Sequence, residues 1–551
     1  VALYLGKVCS LGVTSVVRPS FESIGVSMSK SFLKDRTGHR VMLKMCKPRK
    51  PTKHNKSEWH DDPADYQKLY AYCKQDVVVE EAIHNETLDL HPHSRDTWLL
   101  NQKINERGIP VDRELIEDIL ATEKVWHDKL IAEFYELTGV ESPRKLVPTI
   151  EWLRARGVEP KSLAKDHVVE VLKQDMPDEC RRVLEIRQLT SRTSTKKYTA
   201  MLNRVEEDGR IRGEHLFHGA STGRFAGSGV QIQNLPRPKH SYDETLQAIE
   251  TFATRDPDLV EMMHGNLSEI AVSCIRPSIK APEGKKLIVC DFTGIEARVL
   301  GWLANCAGYQ ETFRAGGDLY VEMAKRIYST QTVTSANRFV GKIAILGLGY
   351  GMGAQKFFKT AVDWGAVMTE EEAREIVQIY RTTFNEIQRF WYALDDAAKG
   401  VVETNKPQTV GRIRFSVDGD YLFANLPSGR RIAYRDPQVR NESTPIGVKP
   451  ALSYMGVNSQ TRQWERKRTY GGKLCENIVQ AAALDLLVAA IPRLESLGYE
   501  TVFHVHDEIV CEVPEKFGSY VKVEKEMART PPWAKGCYIS AEGFESERYW
   551  K

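Results

Sequence analysis

At 551 residues the chain is too long for a single hydrophobic core and is expected to divide into three or four domains of ordinary size. Hydrophobic residues at 42% and charged residues at 27% exclude a disordered or fibrous chain, and a net charge of only +3 (77 basic, 74 acidic) means that any nucleic-acid surface must be local. Ten cysteines without a Cys-x-x-Cys pair exclude a zinc ribbon and a disulfide framework, and no run reaches the ~20 apolar residues of a membrane span, the longest, Ala481 to Ile491, being broken by Asp485.

The start, Val1-Ala2-Leu3-Tyr4, carries no initiator Met and no charged-then-apolar signal pattern, so the chain reads as partial. Residues 1 to about 60 are basic and loop-rich, and Lys47-Pro48-Arg49-Lys50-Pro51 reads more readily as a solvated connection than as a DNA-binding patch. Pro63 to Asn85 is predicted helical. From Trp98 to Leu137 apolar residues recur at helical spacing past a Gly108-Ile109-Pro110 break, opening a second, mostly helical unit that runs to about Glu207. It contains Arg181 to Arg187 and then Ser191 to Tyr198 with Lys196 and Lys197, a basic stripe that suits a duplex backbone and equally suits an ordinary wet face. About Gly139 to Asp178, with Trp152 and Arg154, reads as a small helical insertion. Beyond Glu207, turns, short apolar strands and long helices alternate as in an α+β domain with a helical insertion, without internal repeats.

Three segments carry chemistry. In Leu287-Ile288-Val289-Cys290-Asp291-Phe292-Thr293-Gly294-Ile295-Glu296, four apolar residues predict a buried strand, with Asp291 at its end where a carboxylate can reach a metal ion. The competing reading is a polar strand terminator followed by a Thr293-x-x-Glu296 capping box. In Asn337 to Gly351, Arg338, Lys342, Leu346 and Tyr350 are four apart; on a helix they form one slowly turning stripe, ~18 Å long, of two cations, an apolar residue and an aromatic. In Thr501 to Val513, apolar residues flank His506-Asp507-Glu508, predicting two antiparallel strands joined by a tight turn; an exposed turn would tolerate those charges as readily as a cation site would use them. Packing explains any one of these features. It explains the three together poorly, whereas two carboxylates sharing two divalent cations beside a cationic stripe is an arrangement for phosphoryl transfer.

The three segments resemble motifs A (Asp-Tyr-Ser-Gln-Ile-Glu-x-Arg), B (Arg-x-x-x-Lys, an aromatic, Tyr-Gly) and C (His-Asp-Glu) of the family-A DNA polymerases. Ser221-Thr222-Gly223-Arg224 through Gln231-Ile232-Gln233-Asn234-Leu235-Pro236 looks like the family's Thr-Gly-Arg block, and Glu476-Asn477-Ile478-Val479-Gln480 with Asp485 like the helix that presents a glutamine to the minor groove. The resemblance covers roughly Ile109 to the end. It implies an α+β right-hand fold with a thumb (96–207), a palm in two parts (208–305 and 401–551) and fingers (306–400), behind a remnant exonuclease domain (1–95).

By that resemblance, Asp291 and Asp507 would bind two magnesium ions, with manganese as a substitute, and Glu508 would support them. Arg338 and Lys342 would hold the triphosphate, Lys342 protonating the departing pyrophosphate; Phe292, Leu346 and Tyr350 would line the nucleotide, and Glu296 would wall off the sugar 2′ position. Arg224, Gln233, Asn234, Gln480 and His506, with Lys196 and Lys197, would meet primer and template. The implied partners are primer-template DNA and dNTPs, with room for an unidentified processivity factor and no membrane, in the cytoplasm of an infected bacterial host. The alternatives are a single-subunit RNA polymerase-like enzyme, which would lack the acidic gate at Glu296, and a catalytically inactive DNA-binding remnant.

Two departures from the family pattern stand out. Leu346 takes a motif B position usually held by Phe or Tyr, and it cannot stack as a ring does. Motif A has Phe292-Thr293-Gly294 for Tyr-Ser-Gln; with Tyr470-Gly471-Gly472-Lys473, these variations look more like phage replication enzymes than bacterial repair ones. In front, Tyr72-Cys73-Lys74-Gln75-Asp76 resembles the Tyr-x-x-x-Asp motif of a 3′-5′ exonuclease, but no Asp-x-Glu lies between Val1 and Asp76, and a lone Asp cannot build a two-metal site. The expectation is a chain that does not proofread; metal-dependent trimming of a primer 3′ end by the pure protein would contradict it.

Overall fold

The computed structural model describes residues 36–551 except 50, 53–55, 87–89, 91, 191–195, 445–446, 459–460 and 462. Lys50 of the first basic run, the opening residues of the Ser191 to Tyr198 segment and residues 1–35 of the expected exonuclease remnant lie outside the described residues. Each of the nine described cysteines is a free thiol.

From Pro63 on the front is helical, as the spacing predicts; before it, Arg36–Met45 forms a helix within the stretch expected to be loop-rich. Helix α1 (Pro63–Glu86) carries Tyr72 and Asp76 on one face, four residues apart, the first buried and the second half-buried. Helices α2 (Pro92–Arg107) and α3 (Arg113–Thr138) are separated by a two-residue strand at Ile109–Pro110. The Asp112 side chain caps α3 by accepting from Leu115 N, and Gly139 ends it at φ 68, a left-handed conformation open to glycine at no steric cost. Its buried face, Ile116, Ile119, Trp126, Leu130 and Phe134, packs against α4 (Asp178–Thr190) and α5 (Lys196–Leu202).

Strand β1 (Lys285–Phe292) leads into helix α6 (Ile295–Leu303), and helices α7 (Leu319–Tyr328), α8 (Ser335–Leu348) and α9 (Asn385–Thr404) follow. A Cβ on Gly341 would stand 2.2 Å from Tyr320 O, so glycine is what lets α8 lie directly on the α7 backbone. Then come six strands not anticipated from the sequence: β2 (Gln408–Val410), β3 (Ile413–Asp418), β4 (Tyr421–Asn425), β5 (Arg431–Thr444), β6 (Gly447–Val457) and β7 (Trp464–Thr469). They form an antiparallel sheet in simple sequential order, whose inner face, including Phe415, Ala424, Ile432 and Leu452, joins the same core as α9.

Helix α10 (Gly471–Ser496) precedes the hairpin β8 (Glu500–Val505) and β9 (Glu508–Pro514), and β10 (Ala541–Ser546) comes last. By length and composition alone α10 could cross a membrane, but 83% of its most apolar window is buried inside the protein: it is a core helix.

The second sheet, ordered β8-β9-β1-β10 and antiparallel throughout, lies between two cores. Alternate residues of β1 point to opposite faces: Ile288, Cys290 and Phe292 enter the core shared with α6, α8, α9 and α10, while Leu287 and Val289 enter the core shared with α3 and α4. Burial on both faces is why the strand reads as an unbroken apolar run and not as an alternation.

Arg107, at the end of α2, is clamped to this assembly. Its guanidinium donates to both Glu495 oxygens, at 2.7 and 2.9 Å, and to Thr501 O. Burial pushes the Glu495 carboxyl up, but hydrogen bonds from Arg107, Lys103 and Thr501 N outweigh it and bring it down to about 2. A depressed carboxylate stabilises the fold above its ordinary pKa and loses that contribution as pH falls. We expect Arg107→Ala to cost about 2–3 kcal/mol at pH 7 and progressively less from pH 4.5 towards pH 2, measured by urea denaturation across that range.

Candidate active site

The sheet brings the two sequence-distant carboxylates together. Phe292 N donates to Asp507 O at 3.1 Å, and Glu508 lies directly opposite Asp291 in the β9–β1 register. The β8–β9 turn is formed by His506, at φ 53, and Asp507; Glu508, expected in the turn, instead opens β9 and is buried. Burial and the neighbouring Asp291 charge push the Asp507 carboxyl up to about 6, and burial raises Glu508, whose Oε1 accepts from Tyr549 Oη at 2.7 Å. The Lys551 ammonium pairs with Asp291 and stands 3.5 Å from Glu508 Oε2.

The donor set fits magnesium. Among the described residues no group of three or more His, Cys, Asp or Glu could by itself cage a metal ion. A magnesium site commonly takes only one or two protein carboxylates and completes its shell with water and substrate phosphate oxygens. Burial first and the Asp291 charge second raise the Asp507 carboxyl, and a lysine is lodged against Asp291; a cation held between the two carboxylates would relieve that charge.

Helix α8 begins where Thr334 Oγ1 accepts from Asn337 N, and it carries Arg338, Lys342 and Leu346 as the spacing predicts. It ends at Leu348, so Tyr350 stands in the turn beyond it and not on the helical stripe; Gly347 and Gly349 weaken the last turn. Arg338 is exposed, donates to Asp318 Oδ2 at 2.7 Å and lies over the Tyr320 ring. Half-buried Lys342 makes no ion pair among the described residues, which leaves its ammonium available. A cavity of about 510 Å³ opens beside this helix, lined by Gly294, Asp318, Tyr320, Arg338 and Ser540 among others.

Glu296 joins three segments. Its Oε1 accepts from Arg224 Nη2 and its Oε2 from Tyr350 Oη at 3.0 Å. The Thr293-x-x-Glu296 capping box does not form: Gly294, at φ 60, is the N-cap of α6 and makes no side-chain cap bond, which frees the glutamate for these two partners. Beneath Arg224, the buried Arg430 donates to Asp485 Oδ1 at 2.5 Å, to Thr222 O at 3.0 Å and to Ala481 O at 2.7 Å. Arg430 thus ties the β4–β5 turn to α10 and to the Thr-Gly-Arg block.

Other expected site residues fall differently. Phe292 is 1% exposed and fills the core, so its side chain does not face a nucleotide. Gln233 is buried, its Nε2 donating to His504 O at 2.8 Å and its Oε1 accepting from His506 N at 3.1 Å; it braces the hairpin. Lys197 is likewise turned inward, donating to Val230 O at 2.5 Å, and burial lowers its pKa. Lys196, Asn234 and His506 are exposed, and Gln480 is half-buried. Lys551, Tyr549 and Arg430 were missed because no motif marks them; only the fold delivers them to the site.

Removing one partner of a buried pair strands the other charge. Asp485→Ala is therefore expected to destabilise the protein by about 3–5 kcal/mol, read by chemical denaturation, while a double replacement of Arg430 and Asp485 by apolar residues of similar volume costs less.

Residues 147–532 match the family model described as DNA polymerase family A. A DNA polymerase of Bacillus phage SP02 is 36% identical over 545 residues, spanning 97% of this chain and 83% of that relative. The thermostable DNA polymerase I of Thermus aquaticus is 26% identical over 298 residues (52% of this chain, 29% of the relative), and a Streptococcus pneumoniae DNA polymerase I 22% identical over 475 residues (82% and 45%). The chain thus spans less than half the length of these two bacterial relatives. A solved structure, the POL domain of Pol1 from M. smegmatis in complex with DNA primer-template and dNTP, shares the fold with TM-score 0.56 at 16% identity, over 99% of this chain and 81% of that one. With a family match over most of its length and a phage relative similar almost end to end, this chain belongs to DNA polymerase family A.

Proposed function

We propose that this chain is a template-directed DNA polymerase that adds deoxynucleotides to a primer 3′ end. The observation that carries the reading is the meeting of Asp291 and Asp507 at adjacent strand ends beside a helix with an available lysine. Asp291 and Asp507 hold two divalent cations, magnesium by preference, and Glu508 supports them from β9. Bound there, such ions lower the pKa of the primer hydroxyl and offset the charge of the triphosphate.

The chain's own groups do the rest. Arg338 and Lys342 bind the triphosphate, and Lys342 donates a proton to the pyrophosphate as it leaves. Leu346 and Tyr350 flank the base. Arg224, Asn234, Gln480 and His506 meet primer and template near the growing end, Gln233 positions the hairpin for them, and Lys196 contacts duplex phosphate. Glu296, fixed between Arg224 and Tyr350, blocks a 2′ hydroxyl and so selects deoxyribose; this favours DNA over RNA synthesis. We read residues 96–207 as thumb, 208–305 and 401–551 as palm, 306–400 as fingers, and Tyr72 and Asp76 as the vestige of an exonuclease face. The phage relative supports a role in the cytoplasm of an infected host.

Primer extension tests this. Wild-type protein with magnesium, primer-template and dNTPs should extend the primer, and Asp507→Ala should lower the rate by about 10³-fold or more; equal rates would remove Asp507 from the mechanism. Glu296→Ala should raise ribonucleotide use relative to deoxynucleotide by about 10²-fold or more in single-turnover incorporation.

A further inference from the structure

We propose that the outer face of the six-stranded sheet β2–β7 is a binding platform for the single-stranded template on its way to the site. This deepens the polymerase reading and rests on it.

The strand register sets the face. Arg414, Asn425 and Arg431 form one cross-strand row; Ser416, Phe423 and Ala433 form the next; Asp418, Tyr421 and Arg435 the third. Arg435 continues through Met455 to Arg466, and Gln438 through Ser453 to Arg468. Residues two apart share a face, so these rows lie opposite the face that carries Phe415, Ala424, Ile432 and Leu452 into the core. The outer face is thus rich in arginine on a chain whose net charge is only +3. Some of that charge is internally matched: Arg466 pairs with Asp436, Arg468 with Glu442, and Arg431 stands 4.0 Å from Asp418. Arg414, Arg440 and Lys449 are exposed and make no ion pair among the described residues.

Aromatic groups lie among these cations. The half-buried Tyr421 ring stacks at 5.8 Å on the Phe423 ring, which is 2% exposed and lies beneath the Arg431 guanidinium, 4.2 Å from its centre, so Tyr421 and Arg431 are the groups of this cluster left accessible. Guanidinium planes and rings beside free cations suit unpaired bases and their phosphates, a chemistry that serves strands of any sequence.

The sheet is also tied to the site at two points. Strand β7 runs through Tyr470 into α10, where a Cβ on Gly472 would stand 2.3 Å from Tyr350 O, so the sheet's edge strand ends against the aromatic end of the cationic stripe. The β4–β5 turn reaches Thr222 O through Arg430. A template strand approaching the base that pairs beside Tyr350 would pass along this sheet.

The test uses the full chain and a set of primer-templates with the same duplex and template overhangs of increasing length, from blunt to well beyond the sheet. Wild type should bind the long overhang about tenfold more tightly than the blunt end. The Arg414→Ala/Arg440→Ala/Lys449→Ala variant, altered only at exposed positions without an ion pair among the described residues, should lose most of that increment, with its salt slope on the long overhang falling by about two. Its extension rate at saturating DNA should equal wild type, which also verifies folding. Independently of any variant, a photoreactive base in the overhang should cross-link wild-type protein within residues 414–468. An increment unchanged in the variant, equal weakening on blunt duplex, or cross-links confined to other segments would overturn the platform. Wild type that extends primers without any preference for overhangs overturns this inference alone; wild type that extends no primer overturns the polymerase reading beneath it.

Discussion

The structure turns on an electrostatic conflict held in place by packing. Burial raises the cost of the Asp507 charge, and the Asp291 carboxylate beside it adds repulsion, yet the β1–β9 ladder and two hydrophobic cores leave the pair nowhere else to go. A free chain would separate these groups or protonate one. A sheet buried on both faces over-determines their positions, so the unfavourable proximity persists as stored affinity for positive charge. Lys551 answers part of that demand from within the chain.

The surroundings serve to make this pair rigid and reachable. Gln233 fixes the hairpin backbone at the end of β8 and at the first residue of the turn, and Tyr549 fixes Glu508. Arg430 and Asp485 bind the Thr-Gly-Arg block to the core helix α10, and Arg224, Glu296 and Tyr350 link that block to motif A and to the end of α8. Groups proposed to handle substrate therefore rest on groups that contact only protein. Lys342, with no ion pair among the described residues, stands apart from that network as a group kept available.

Much of this was legible in the sequence, for identifiable reasons. The run Leu287–Cys290 announced a buried strand, the alternation around His506 a hairpin, and the four-residue spacing from Arg338 a helix. Where the reading went astray, a nonlocal partner or a special backbone angle decided the outcome. Gly294 in a left-handed conformation took over the N-cap that Thr293 was expected to hold. Gln233 and Lys197 looked like groups for DNA, but their partners, His504 O and Val230 O, are 271 and 33 residues away and drew them inward. Phe292 reads as a nucleotide contact by resemblance and is a core residue by burial. The six-stranded sheet escaped notice because its strands carry many arginines and other polar residues, a pattern that resembles polar loops until the register shows one face apolar and the other cationic.

The central claim is that the paired carboxylates form a shared cation site. The most direct measurement is Mn²⁺ binding, by calorimetry or electron paramagnetic resonance, to the full chain with a dideoxy-terminated primer-template and a matching dNTP. The account predicts two ions bound to wild type and loss of at least one in both Asp291→Asn and Asp507→Asn. Two ions bound with undiminished affinity after either substitution would contradict it.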